Sequence, residues 1–284
     1  MLRILIFFIS VIILQVGWAQ KGKQPHHHKS EEITLGDKYF NNGDYFLAIR
    51  YYKKALETFN GDPYVHHQLA ESQRLTFDYI GAEPNYKAVV DYIEKQFSKT
   101  HHHDDYPLVR FRYATILKAN ARCDLAREQF ALFIDHFKKE SSVDDKQYHE
   151  RALLEYNGCS FWESQKDRVE RNYQFEILPE PVNTATSDYA PAVFVNDTTI
   201  CVTSARGATD EQRKVYNTLG QSFSDVFIFK KEGESWKDIS RDQNFDKINE
   251  TLNDGAGCFN TAKNKFYFTK CDVAHSQSSG ECNI

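Results

Sequence analysis

From Glu31 to about Gln165 apolar residues recur every three or four positions, and beyond Tyr173 the period shortens to two, so the chain predicts a helical half followed by a β half. Phe46, Ile49, Tyr52, Ala55, Leu56 and Phe59 share one helical face, which predicts a helix over Tyr45–Phe59 capped by Asp44. A partner helix is predicted over Glu31–Asn41, stopped by Asn41-Asn42-Gly43; the second stops at Asn60-Gly61-Asp62-Pro63. The pattern then returns 34 residues on, with Gly36 mapping to Ala70, Ala48 to Ala82 and Tyr52 to Tyr86. A third unit fits Tyr113, Ala114, Leu117, Ala126 and Phe130, after roughly ten inserted residues around Ser98–Asp105. Lys146–Gln165, carrying Leu153, Leu154, Tyr156, Cys159 and Trp162, predicts one more first helix that caps the stack.

The β half repeats as well. Ser187–Gly207 predicts strands at Ala192–Val195 and Ile200–Ser204 around the polar turn Asn196-Asp197-Thr198. The pattern recurs in Asn253–Asp272 at a constant offset of 66: Asp188 maps to Asp254, Val193 to Phe259, Val202 to Phe268 and Thr203 to Thr269. A strand over Tyr173–Leu178 leads in. A long polar loop spans Ala205–Ser224, Asp225–Lys231 is a further strand, and Trp236 follows a turn.

Both repeats resemble known families. In the helical half Leu35, Gly36, Tyr39, Ala48, Tyr52 and Ala55 are similar to the tetratricopeptide repeat, although Glu32 replaces its early Trp and its closing Pro is displaced to Pro63. That resemblance implies a solenoid whose concave face carries Asp37, Asn41, His67, Glu71, Arg74, Thr115 and Lys118, a groove for an extended peptide. Ser187, Asp188, Pro191, Thr203, Ser204 and Arg206 resemble the WD40-like repeat of TolB-type propellers, with Asp254 and Thr269 in a weaker second copy where Gly257 and Lys270 replace the Pro and the Ser. The recurrence of Asp188 at a turn before a strand favours a structural role for it and for Arg206. The implied fold class is multi-domain: an all-α tetratricopeptide solenoid followed by all-β propeller blades, incomplete at one blade and most of a second. The combination resembles envelope proteins of Bacteroidetes-type bacteria in the OmpA family, some associated with type IX secretion and gliding. This implies a periplasmic, outer-membrane-associated scaffold that contacts peptidoglycan through a further C-terminal domain. Because Cys282-Asn283-Ile284 aligns with the start of the Asp225 strand, the chain reads as the N-terminal portion of a longer protein.

Composition changes this picture in three places. Met1-Leu2-Arg3, the apolar run Ile4–Val16 and the small residues Gly17 and Ala19 form a cleavable secretory signal, too short to span a membrane comfortably, so an exported mature chain begins near Gln20 with no membrane span. The expected organisation is therefore a signal peptide over 1–19, a polar leader over 20–29, helices over 30–165, a charged linker over 166–172 and β blades over 173–284. A net charge of −5 gives no support to nucleic-acid binding. Six cysteines in an exported chain predict disulfides: Cys123–Cys159 between neighbouring helices and Cys271–Cys282 across a short loop, with Cys201 and Cys258 either paired or left as thiols.

Candidate chemistry is sparse. The histidine triplets His26–His28 and His101–His103, the latter beside Asp104 and Asp105, could hold metal. They lie in polar stretches without the fixed supporting shell that metal sites need, so neither metal nor cofactor is expected. No nucleophile elbow, P-loop, zinc-peptidase helix or dinucleotide fingerprint occurs. The expectation is a non-enzymatic scaffold that binds protein partners in the cell envelope. Its rival is a peptidase or other hydrolase whose catalytic domain lies beyond Ile284.

Overall fold

The computed structural model describes residues 30–97, 106–137, 143–172, 176–193, 198–207, 215–216, 218–240, 248–249, 253–272 and 281–283. Both histidine triplets, the signal segment, most of the predicted turn at 196–198 and the first half of the predicted strand at 173–178 lie outside them. Residues 176–178 are not strand.

Among the described residues seven helices come first: α1 (Glu31–Asn41), α2 (Tyr45–Thr58), α3 (Pro63–Leu75), α4 (Tyr79–Phe97), α5 (Val109–Ala119), α6 (Cys123–Phe137) and α7 (Val143–Asn172). Each packs on the next in chain order, with lighter contacts between α1 and α3 and between α5 and α7. The repeat explains why. Ala48, Ala82 and Ala126 are fully buried, as are Tyr52, Tyr86 and Phe130, so each unit places a small residue and a ring at matching points. The Tyr52 ring lies where a side chain on Gly36 would sit, since a Cβ there would fall 2.6 Å from the ring. Small residues in the first helix thus let the ring of the second enter the interface.

The turn within each helix pair repeats at the level of single hydrogen bonds. Asp44 N donates to Tyr39 O, Asp78 N to Gln73 O and Arg122 N to Leu117 O, the long closing bond of a helix C-cap. That bond requires a left-handed residue, and Gly43, Phe77 and Ala121 take it at φ 80°, 62° and 60°. Only the first is glycine. Ala121 is exposed, so Ala121→Gly is expected to relieve its strained backbone and stabilise the helical half by about 0.5–1 kcal/mol, read as a rise in thermal midpoint.

Helix α7 continues to Asn172, so the charged stretch 166–172 is helix rather than linker. Its local support includes the Lys166–Glu163 pair at 2.8 Å, one helical turn apart.

The β half holds a four-stranded antiparallel sheet in the order β1 (Asp188–Val193), β2 (Thr199–Ser204), β5 (Asp225–Glu232), β6 (Ser235–Asp238). A three-stranded sheet follows, β7 (Asp254–Phe259), β8 (Phe266–Asp272), β9 (Glu281–Asn283), and a small hairpin, β3 (Val215–Tyr216) with β4 (Gln221–Ser222), lies within the stretch expected to be loop. The 66-residue offset is carried into the register: Asp188 pairs with Ser204 and Asp254 with Lys270, while Val193 pairs with Ile200 and Phe259 with Phe266. Each first strand bulges at the same place, between Tyr189 and Ala192 and between Gly255 and Cys258, with Ala190 and Ala256 at φ 49° and 50°. The bulge lets β1 run through the exposed Pro191, which an edge strand tolerates, and explains why β1 begins earlier than its alternation suggests.

The propeller expectation is corrected here. Among the described residues no sheet curls or closes; two sheets abut through β7, which touches β1, β2 and β5. A repeated hairpin specifies the unit and its register, but nothing in the unit specifies closure of a ring. The abutment is held by Asp254 N donating to Ser224 O at 2.7 Å and Ala256 N donating to Thr203 Oγ1 at 2.9 Å. Gly255 is required there, since a Cβ would fall 2.2 Å from the Thr203 methyl. The two halves meet where Gly220, at φ 70° in the β3–β4 turn, lies against the ring of Phe46 on α2.

Candidate functional site

The odd-numbered helices share one face, and polar contacts cross it from helix to helix. Asp37 on α1 accepts from the hydroxyls of Tyr52 at 2.7 Å and Tyr64, on α3, at 2.8 Å. Glu71 on α3 meets Arg112 Nε on α5 at 3.1 Å, and Lys118 on α5 pairs with Glu155 on α7. Three of the residues predicted for the groove are therefore the ones that tie successive helix pairs together.

The repeat explains Asp37 and Glu71 further. They occupy equivalent positions, and so do Tyr52 and Tyr86, whose hydroxyl donates to Glu71 at 2.5 Å. A phenol buried at the helix crossing needs an acceptor, and the acid one helix away supplies it. In the third unit the equivalent positions are Thr115 and Phe130, so phenol and acid vanish together. Thr115 instead donates to its own helix, at Phe111 O, 2.9 Å away.

The densest charge lies between α3 and α5. Glu71 is buried and accepts from Arg74 at 2.7 and 3.2 Å besides meeting Arg112. Burial alone would raise its carboxyl pKa, but the charges of Arg112 and Arg74 outweigh that and hold it below the usual range. His67, tilted against Tyr106 with ring centroids 5.0 Å apart, has its pKa lowered by burial, which the nearby Glu71 only partly offsets. At neutral pH two guanidiniums thus share one carboxylate beside a neutral imidazole, leaving the cluster with an excess of positive charge. Both arginine side chains keep about a quarter of their surface exposed, 24% for Arg74 and 26% for Arg112. Asn41 is exposed at the end of α1, apart from this cluster.

Arg112, Tyr106 and Glu155 escape sequence reasoning. Arg112 aligns with Gln68 in the second unit, so the repeat gives no hint of a charge there; its partner is set by the stacking of α5 on α3.

The β motif residues are deeply engaged. Asp188 accepts from Arg206 at 2.8 Å and from Thr184 N and Oγ1 at 2.6 and 2.9 Å. Burial would raise its pKa, but hydrogen bonds led by that from Ser204, with Thr184 and Arg206, lower it. The Arg206 guanidinium lies 4.9 Å from the ring centres of both Phe227 and Phe229 and also donates to Ser204 Oγ and the carbonyls of Pro181 and Val182. A guanidinium so used joins strand to loop and is not presented to a ligand. The second copy has Asp272 where Arg206 stands, so the pair is not repeated. Thr203 and Asp254 are buried at the sheet abutment, and Thr269 faces the cleft beside it.

Of the predicted disulfides, Cys271–Cys282 is present and joins β8 to β9. Cys123 and Cys159 are buried thiols with Sγ atoms 2.8 Å apart, while Cys201 is buried and Cys258 exposed. Among the described residues no cluster of three or more His, Cys, Asp or Glu is placed to hold a metal, and no helix is long and apolar enough to cross a membrane.

No family model matches the chain, and no curated protein matches it. The resemblance to tetratricopeptide, TolB-type and OmpA-family envelope proteins therefore finds no support, and the links to type IX secretion and to a peptidoglycan-binding domain fall with it. Short repeat signatures rest on a few small and aromatic positions that close helix packing and hairpin pairing demand of any sequence, which is why they could agree here without kinship.

Proposed function

We propose that the chain is an exported, non-enzymatic scaffold that binds protein partners of the cell envelope along the face of its odd-numbered helices. The observation that carries this reading is the Glu71–Arg74–Arg112 cluster, an excess of partly exposed positive charge on a face otherwise occupied by contacts between helices. Stacked helix pairs offer extended surfaces that suit a peptide segment. A partner bearing Asp or Glu would meet Arg74 and Arg112, whose planar forks match a carboxylate. Export rests on the leader sequence and agrees with the cysteine usage.

The test is capture from envelope extracts by the mature chain, followed by titration of the captured segment. Arg74→Ala leaves Arg112 on Glu71, so the fold should survive. Affinity is expected to fall about tenfold, with a weaker salt dependence. Unchanged affinity and salt response in this variant, or capture of nothing from the envelope, would refute the proposal.

A further inference from the structure

The cleft where the two β repeats abut has no part in the helical face. It encloses about 410 Å³, within the size range of small-molecule sites. Separate pieces of chain build it: the start of β1, the end of β2, the β3–β4 hairpin, the start of β7 and the second half of β8.

Its chemistry is selective. Tyr189 and Tyr216 line it and keep 43% and 42% of their surface exposed. Gln221, Ser222, Asn253 and Thr269 add amide and hydroxyl groups that both donate and accept hydrogen bonds. No lysine, arginine, histidine or glutamate lines it, and the one ionisable carboxyl, Asp254, is fully buried. An anionic ligand would find no counter-charge there. A peptide strand would need an open sheet edge, but the edges β1 and β7 already contact each other. A lipid chain would offer nothing to the amide N–H groups and hydroxyls that line it. What remains is a ligand that is uncharged, rich in hydroxyls and flat enough on its C–H face to lie on a tyrosine ring.

From this lining we propose that the cleft binds a neutral saccharide, with Tyr189 and Tyr216 contacting sugar ring faces and Gln221 and Asn253 reading the hydroxyls. The walls are already fixed. Gln221 Oε1 accepts from Ser187 N at 3.2 Å and Asn253 Oδ1 from Ser224 N at 2.9 Å, which holds both side chains by their oxygens.

The experiment titrates the whole chain with maltose, lactose and N,N′-diacetylchitobiose, and with 3′-sialyllactose as the charged comparison, by calorimetry and by protein-observed NMR. At least one neutral sugar should bind saturably at one site per chain, with sialyllactose no tighter than lactose. Tyr189→Ala and Tyr216→Ala should each weaken that binding about tenfold, and Gln221→Ala severalfold, with thermal melts matching the parent. Because both tyrosines are exposed, these truncations leave the core intact, and Gln221→Ala provides an independent reading if either one destabilises. The proposal is overturned if none of the neutral sugars saturates, if only sialyllactose binds, or if binding survives all three substitutions. None of these outcomes bears on the helical face, so the two readings stand or fall separately.

Discussion

Replacing Glu71 by alanine is expected to destabilise the helical half by about 3–5 kcal/mol, the loss seen when one member of a buried ion pair is removed. The substitution leaves Arg74, Arg112 and the Tyr86 hydroxyl facing a hole at the α3–α5 crossing. Two like charges and a phenol would then be without their shared acceptor. Glu71→Gln keeps an acceptor and should cost less. The pH dependence follows from the lowered carboxyl pKa. A depressed folded-state pKa gives stability that is fully present above the unfolded carboxylate value, about 4.3, and is lost as pH falls through the folded value. Helical circular dichroism followed against temperature between neutral pH and pH 3 should show a steeper acid loss for the parent than for Glu71→Gln. Parallel curves, or an alanine variant that melts with the parent, would mean that the cluster adds nothing to stability.

Oxidation of Cys123 and Cys159 is the second large effect. Their sulfurs are 2.8 Å apart, inside the contact distance of two thiols, and both residues are buried between α6 and α7. The Cys159 thiol is pushed up to about 12 by burial, with Cys123 adding to the shift, so at neutral pH the folded Cys159 is almost wholly protonated and slow to react. Closure is therefore expected during folding, before the helices bury the sulfurs. Two thiols lose two protons and two electrons to a small disulfide such as oxidised glutathione, which leaves as two thiols. The closed bond spans 36 residues and should stabilise the folded chain by about 4 kcal/mol on the chain-entropy account. Peptide mapping of chain refolded in a glutathione buffer should recover a Cys123–Cys159 linked pair. Its melting midpoint should drop in Cys123→Ser and fall no further in the double variant. Alkylation of both thiols in the refolded chain would sink this prediction.

Much of the architecture was legible because repetition amplifies weak signals. One alanine at position 48 says little, but the same small residue at 82 and 126, with rings at 52, 86 and 130, specifies a helix crossing, and all of these side chains are buried. The 66-residue offset likewise located both hairpins. Closure of the sheets was not legible, since it depends on how one repeat leans on the next and not on the pattern within a strand. The β3–β4 hairpin escaped notice because strands of two residues have no period to read, and its turn rests on Phe46 of the helical half. Residues 166–172 looked like a connector because a run of charged residues shows no apolar period, which a polar stretch of helix shares with a loop. The repeat put Asp37, Glu71 and Lys118 on the first helix of successive pairs, but it could not reveal that they are occupied with neighbouring helices.

The joint change from acid and phenol to Thr115 and Phe130 bears on how such an array can be rebuilt. Phenol and acceptor sit on different helices of one unit, so the portable module is the whole helical hairpin. A chimera that grafted α2 or α4 alone onto the first helix of the third unit would bury a tyrosine against a threonine already bonded to its own helix, whereas exchange of complete pairs carries donor and acceptor together. Crossovers for recombining the units therefore belong in the connections between pairs, not in the left-handed turns within them.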